Sequence, residues 1–280
     1  MNLKVSLILS TYGRYVEVDD FLKSLLEQDC SREDFEVIVI DQNDVINLEP
    51  LIRKFENEFS ILHYKTNVKG LSKAKNKGIE LAKADIITFP DDDCTFYPDT
   101  ISKAILFFSL NPKADLVYGC VFDNKINRTS IRKNSKNQKK LNLLNYSLNY
   151  SAIACFTKLK IKFDENFGVG SKIWLGEELD YIIRSILGGN NVYYSPLINV
   201  WHPPINVASM NEIKVYNYAY GYGAIMRKNL SFVLFLVFFV FFSYSVFRYV
   251  FNVFSVNRKK YYLAVSGRLD GFLKKDLLYR

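Results

Sequence analysis

Short apolar runs that end abruptly in polar or acidic residues constrain this chain more than any other feature. Val5–Leu9 gives way to Thr11-Tyr12-Gly13-Arg14, Phe35–Ile40 to Asp41-Gln42-Asn43-Asp44, and Ile86–Phe89 to Asp91-Asp92-Asp93. Near-continuous apolar runs of this length, Glu36 aside, are the pattern of strands covered on both faces. Between them lie helical signals. Phe21, Leu22, Leu25 and Leu26 recur at helical spacing, a helix is predicted over Glu49–Glu58 and an Ala- and Lys-rich one over Leu71–Ala82, and Ile61–Tyr64 reads as a further strand. Strands alternating with helices predict an α/β fold with a doubly wound, mostly parallel sheet, a Rossmann-like arrangement with right-handed crossovers. In such sheets ligands bind outside the carboxyl ends of the strands. Thr11, Asp41 and Asp91–Asp93 all follow strand ends, so they are expected to meet in one crevice.

The second half is less regular. Pro98–Leu110 and Glu177–Leu187 read as helices, the latter stopped by Gly188-Gly189. Asp115–Phe122, Ser151–Phe156, Asn191–Tyr194 and Ile198–Trp201 read as strands, the last ending at His202-Pro203-Pro204. Lys125–Lys140 is polar, basic and without apolar periodicity, and is predicted to be a loop.

The formal net charge of +8 on 280 residues admits nucleic acid, an anionic membrane face or a phosphate-rich substrate. No nucleic-acid-binding module accompanies it, so nucleic acid is not an expected partner. Cys30, Cys94, Cys120 and Cys155 have no C-x-x-C spacing and each adjoins an apolar run, which predicts free, buried thiols. The opening residues lack a long apolar segment and a small-residue cleavage site, so no secretory signal is expected.

Three consecutive acids repel one another and cannot be buried without partners. Adjacent carboxylates at a strand end suit a hard cation such as Mg²⁺ or Mn²⁺, which takes oxygen ligands and often shares them with a diphosphate. On extended backbone Asp91 and Asp93 point to one side and Asp92 to the other, so the useful pair is Asp91 with Asp93. Lys73, Lys75 and Lys77 line the helix Leu71–Ala82, and Lys73 or Lys75 is placed to meet the same diphosphate or a ribose. A solvated helix face is the competing reading. On the late helix, Glu177 and Asp180 are three apart and share a face while Glu178 points elsewhere, so periodicity alone does not select a catalytic acid. His63 reads as structural, and Trp174 and Trp201 as core aromatics rather than sugar-stacking ones.

The stretches VSLILSTYGR, VIVIDQND, KGLSKAKNKGIELA, ITFPDDDC and FGVGSKIWLGEELDYIIR occur in that order. Together, over residues 3–203, they resemble the inverting glycosyltransferases of family 2, which have the GT-A fold. The resemblance implies an enzyme that moves a sugar from a nucleotide-diphosphate donor, a UDP- or dTDP-sugar, to a hydroxyl. It implies that Thr11, Tyr12, Arg14, Asp41, Lys75, Asp91 and Asp92 bind the nucleotide sugar. It further implies that Asp91 and Asp93 hold Mn²⁺ or Mg²⁺ and that Glu178 is the general base, with Glu177 and Asp180 as rivals. His202 is either a metal or diphosphate contact, as in family relatives, or a structural residue before Pro-Pro. The chain departs from the family pattern at Asp41-Gln42-Asn43-Asp44, at Lys75 in place of a common Arg, and at Glu178 in place of a common Asp. The resemblance divides the chain into a nucleotide-sugar half, 1–95, and an acceptor and catalytic half, 96–215. The competing readings are a non-catalytic sugar-nucleotide or lipid-glycan binding protein on the same fold, and a nucleotidyltransferase.

Residues 216–280 form a helical tail. Leu230–Phe247 is uncharged and sits at the lower length limit for a membrane span. From the end of that run onward, Ser245, Arg248, Asn252, Ser255 and Lys259 recur at spacings of three and four, a polar stripe predicted to lie on one amphipathic helix. Basic residues flank the run on both sides, giving no inside–outside asymmetry. The expectation is an enzyme at the cytoplasmic face of the cell membrane, peripheral, monotopic or single-span, with a lipid-linked glycan acceptor in cell-surface polysaccharide synthesis.

Overall fold

The computed structural model describes residues 3–123, 128–129, 135–204 and 210–274, with only the backbone at 128–129, 148 and 152. The chain divides into two compact units. The first comprises Met1–Lys69, Lys73–Lys162 and Gly189–Ile205; the second comprises Gly70–Ser72, Phe163–Gly188 and Asn206–Arg280.

The first unit is built on β1 (Val5–Thr11), α1 (Val16–Leu26), β2 (Phe35–Asp41), α2 (Glu49–Ile52), β3 (Ser60–Lys65), α3 (Leu71–Leu81, its start grouped with the second unit), β4 (Ile86–Thr88), β5 (Thr95–Phe96) and α4 (Thr100–Leu110). It continues with β6 (Leu116–Asp123), β7 (Arg128–Thr129), β8 (Lys139–Lys140), α5 (Tyr146–Asn149) and β9 (Cys155–Thr157). The second unit then holds α6 (Glu177–Leu187), after which β10 (Val192–Trp201) returns to the first. The tail helices α7 (Glu212–Lys228), α8 (Phe232–Phe251) and α9 (Arg258–Leu273) belong to the second.

Among the described residues the main sheet runs β3-β2-β1-β4-β9-β6-β10-β5. β3, β2, β1 and β4 are mutually parallel, as are β6 and β10, whereas β9 and β5 pair antiparallel. The expected parallel-dominant α/β sheet is therefore present, with antiparallel strands in the less regular half. β1 and β2 are buried almost throughout, as their unbroken apolar runs require. Their core faces pack on Phe21, Leu22 and Leu25 of α1. Gly78 of α3 lies so close to Ile8 that a Cβ would fall 2.1 Å from it, which fixes α3 tightly on β1.

Several elements differ from expectation. The helix predicted over Glu49–Glu58 ends at Ile52 and continues as turns, with Phe55 and Phe59 buried in the core. The two strands predicted around 191–201 are one strand, β10, whose register against β6 shifts between Tyr194 and Asn199. Part of the predicted basic loop is strand, because β8 pairs with β10. Positions 125–127 and 130–134 of that stretch, including Lys125, Arg132 and Lys133, lie outside the described residues. Trp174 is not a core aromatic, being 59% exposed. The polar stripe does not lie on one helix, since α8 ends at Phe251 and turns separate it from α9. All four cysteines are free; Cys94, Cys120 and Cys155 are buried and Cys30 is partly so.

Candidate active site

In the first unit, parallel registry sets Thr11 opposite Asp41 at the carboxyl ends of β1 and β2. Asp41 is fully buried, and among the described residues its carboxylate is met by donors. The backbone and side-chain amides of Asn43 donate to Oδ1 at 2.8 Å each, and His63 Nε2 donates to Oδ2 at 2.9 Å. Burial pushes the Asp41 carboxyl up, but the bonds from His63 and Asn43 outweigh it and hold the group below its ordinary value. Asn43 Oδ1 in turn accepts from the backbone amide of Gly13 at 2.5 Å. Gly13 has φ +78°, a left-handed conformation that suits glycine and lets the chain turn sharply off β1. Lys69 closes this side. Its Nζ reaches the Gln42 carbonyl, bonds Asp44 Oδ1 at 2.6 Å and lies 4.8 Å from the exposed Tyr12 ring.

The three acids leave β4 through a turn rather than on extended backbone, with Cys94 N bonded to Asp91 O. The turn still sorts them. Asp92 lies beside Thr11 and the backbone of Tyr12. Burial raises its carboxyl above the usual range despite Thr11 and Arg14 nearby. Arg14 joins the acids, with Nε 3.2 Å from Asp92 and Nη1 2.7 Å from Asp93. Asp93 also meets His202 Nε2 at 3.2 Å. Burial opposes ionisation of Asp93, yet His202 and Arg14 bring its pKa down to about 2. For His202, burial disfavours the cation, but the Asp93 and Asp91 carboxylates raise its pKa overall.

Asp91, Asp93 and His202 each offer one ligand atom, and these atoms lie within 4.8 Å of one another. The His202 ring is oriented for this role: Nδ1 lies 2.6 Å from the Pro203 carbonyl, which can only accept, so Nδ1 carries a proton and Nε2 faces the carboxylates. Two carboxylate oxygens and an imidazole nitrogen suit Mn²⁺, and Mg²⁺ with more oxygens from water or phosphate. The residues present therefore fit a divalent cation. Lys75 is buried, Lys73 exposed, and Lys77 half-buried with its Nζ 5.0 Å from the Tyr64 ring.

The second unit carries the acids of α6. Gly176 precedes it with φ +102°, and a Cβ there would fall 2.1 Å from Ile225 of α7. Only glycine satisfies both conditions. Asp180 is fully buried. Its Oδ1 takes Lys228 Nζ at 2.7 Å and Asn229 Nδ2 at 2.9 Å, and its Oδ2 takes Arg184 Nε at 2.6 Å. Lys228 also pairs with Asp164 at 2.7 Å. Glu177 is buried beside Gly168, whose added Cβ would fall 3.3 Å from its carboxyl carbon. Glu178 is half-buried. Burial first, then the charges of Glu177 and Glu178, raises the pKa of Tyr218 on α7.

Sequence reasoning did not find His63, Asn43 or Lys69, nor the tie from Arg14 to both Asp92 and Asp93. A partial signal for His63 existed: it is the histidine of β3, the strand that pairs with the one ending in Asp41.

A glucosyl-dolichyl phosphate glucuronosyltransferase of Haloferax volcanii is 31% identical over 133 residues, 45% of this chain and 41% of that protein. The chain spans less than half the length of the curated relatives it matches. The structure of residues 1–349 of Staphylococcus aureus TarS with UDP superposes with a TM-score of 0.63 at 18% identity, covering 80% of this chain and 64% of that one. The mannosyltransferase PcManGT of Pyrobaculum calidifontis, solved with GDP-Man and Mn²⁺, superposes with a TM-score of 0.65 at 12% identity, covering 98% and 88%. At these identities the superpositions establish a shared fold. The family described as Glycosyl transferase family 2 matches residues 6–170, more than half of the chain, from β1 through the turn after Phe167, and the chain belongs to that family.

Proposed function

We propose that this protein is an inverting glycosyltransferase, carrying a sugar from a UDP- or dTDP-sugar to a hydroxyl of a lipid-linked glycan at the cytoplasmic face of a membrane. The observation that carries the reading is the cluster of Asp91, Asp93 and His202 in the same unit as the Thr11–Asp41 strand ends, at the β4 turn where Arg14 and Asp92 also meet. In this reading residues 1–95 hold the donor, 96–215 the acceptor, and 216–280 the membrane.

Asp41, kept ionised and fixed by His63 and Asn43, accepts hydrogen bonds from the nucleotide base. Thr11 and Tyr12 border that base. Arg14, with Asp92 as its counterion, orients the ribose and diphosphate side of the donor, and Lys75 adds positive charge from α3. Asp91, Asp93 and His202 would hold Mn²⁺ or Mg²⁺, which supplies neutralisation of the charge that develops on the departing diphosphate. Departure of that group gives oxocarbenium character at the anomeric carbon, and an acceptor hydroxyl attacks the opposite face.

Glu178 takes the proton from that hydroxyl. Asp180 is less suited, because a cation pairs with each of its oxygens, Lys228 with Oδ1 and Arg184 with Oδ2; its role is to position α6. Glu177 is more deeply buried than Glu178. UDP in the TarS structure, Mn²⁺ in the PcManGT structure and the dolichyl-phosphate substrate in the Haloferax protein's name support the donor, metal and acceptor classes proposed. Glu178→Gln is expected to keep donor binding and lower transfer by about 10²–10⁴-fold. Transfer at the wild-type rate would reassign the base, first to Glu177.

A further inference from the structure

The tail carries two arginines that sugar transfer does not use. Arg248 stands in the last turn of α8 and is exposed. Its guanidinium lies 4.9 Å from the Tyr261 ring and 6.0 Å from the Tyr244 ring, with Nη2 3.4 Å from the Tyr261 hydroxyl. Arg268 follows Tyr261 by about two turns of α9, on the same face. Its guanidinium lies 5.7 Å from the Tyr222 ring, Nη1 donates to the Ala264 carbonyl at 2.8 Å, and Nε is buried without a hydrogen-bond partner. Burial first, and then the charge of Arg248, makes Arg268 less basic than an exposed arginine.

Among the described residues neither arginine makes an ion pair. Asp270 of α9 is engaged instead by the Tyr216 hydroxyl at 2.7 Å and by Lys274. Among the described residues, Arg268, buried with an unsatisfied N–H and close to the exposed Arg248, lacks the anion that ordinarily accompanies buried charge. Planar guanidinium forks match the oxygens of a phosphate.

The surroundings identify where such a phosphate would come from. Phe235, Phe239, Phe247 and Phe251 of α8 are exposed, and Phe254 and Val256 in the turn before α9 are fully exposed. α8 is long and apolar enough to cross a membrane, and little of it is buried. Inorganic phosphate has no use for an apolar surface, whereas a lipid has both a phosphate and a hydrocarbon chain. We propose that Arg248 and Arg268 form a headgroup site for the phosphate of an anionic membrane lipid, whose chains lie against the exposed apolar face of α8 and the turn after it. This rests on the membrane-surface reading above and adds a defined lipid contact to it.

Flotation of the full chain with phosphatidylcholine vesicles, with and without phosphatidylglycerol, tests it. The wild type is expected to favour the anionic vesicles, and Arg248→Gln and Arg268→Gln each to lower that preference about fivefold. Arg258→Gln removes the same charge from an exposed site just beyond the turn and is expected to change the preference much less. Arg248 is exposed, so its variant is expected to melt like the wild type and to remain informative if Arg268→Gln does not fold. The proposal is overturned if Arg248→Gln keeps the wild-type preference, if Arg258→Gln lowers it as far, or if inorganic phosphate at constant ionic strength displaces the protein from anionic vesicles. Equal binding of the wild type to both vesicles overturns only the headgroup site. Binding to neither overturns the membrane reading and the headgroup site with it.

Discussion

The acids of this chain are sorted by their partners rather than by their spacing. The sequence marks Asp91 and Asp93 as a pair from their position after an apolar run, and His202 joins them there only through the family resemblance; in the structure one ligand atom of each lies within 4.8 Å of the others. Of the partners of Asp41, His63 could be read as a strand residue but not as a partner, because a sequence does not display the register of its strand against β2. Asp180 was equally opaque: its period placed it with Glu177, while the Lys228 and Asn229 that saturate it come from the end of a different helix. Asp164 belongs to the same group and carries a pH prediction. Burial pushes its carboxyl up, but Lys228 and Asn166 more than compensate, and its folded-state pKa lies below the usual value. Folding therefore favours the carboxylate. The stabilisation is complete above the unfolded value near 4 and is lost as pH falls through the lower folded value. Urea midpoints measured across this acid range are expected to fall less steeply for Asp164→Asn than for the wild type; parallel slopes would contradict the assignment.

At the scale of elements, the alternation of strand and helix through β4 could be read from the sequence, since β1, β2 and β4 are buried on both faces and α1 shows one apolar stripe; β3 is partly exposed, and α2 is shorter than its pattern predicts. The second half resisted because its strands are short, antiparallel or bulged, as β9 and β10 show. The tail helices were recognisable, but not their close approach. A Cβ on Gly271 of α9 would fall 2.1 Å from the Tyr220 carbonyl and 2.9 Å from Ala224 N on α7, and one on Gly223 of α7 would fall 2.2 Å from the Arg268 carbonyl. These are backbone atoms, so no rotamer change relieves the clash. Gly271→Ala gains about 1 kcal/mol of helix propensity. The helices must nevertheless separate, and overpacking of this kind costs about 1–3 kcal/mol. A net loss of stability is expected in denaturant melts, and a gain would refute the close packing of α7 and α9.

At the scale of the whole molecule, the chain joins a family 2 glycosyltransferase sheet to a helical tail with an unusually apolar exterior. Composition announced the apolar run, but whether it packs inside a protein core depends on burial, and most of α8 is uncovered. Substituting Phe235, Phe239 and Phe247 together by Ser changes only exposed positions. The substitution is expected to move the protein from the membrane pellet to the soluble fraction without lowering its melting temperature. Retention in the pellet would mean that α8 does not carry the attachment.

In the proposed reaction Asp91, Asp93 and His202 bind a divalent cation together with a nucleotide diphosphate. Thermal melting with a panel of nucleotide sugars, with and without Mn²⁺, measures this directly, because a ligand that binds the folded state raises the melting temperature by mass action. A UDP- or dTDP-sugar is expected to give a shift that requires Mn²⁺ in the wild type and disappears in Asp93→Ala. A shift of the same size without metal, or one that survives in Asp93→Ala, would contradict it.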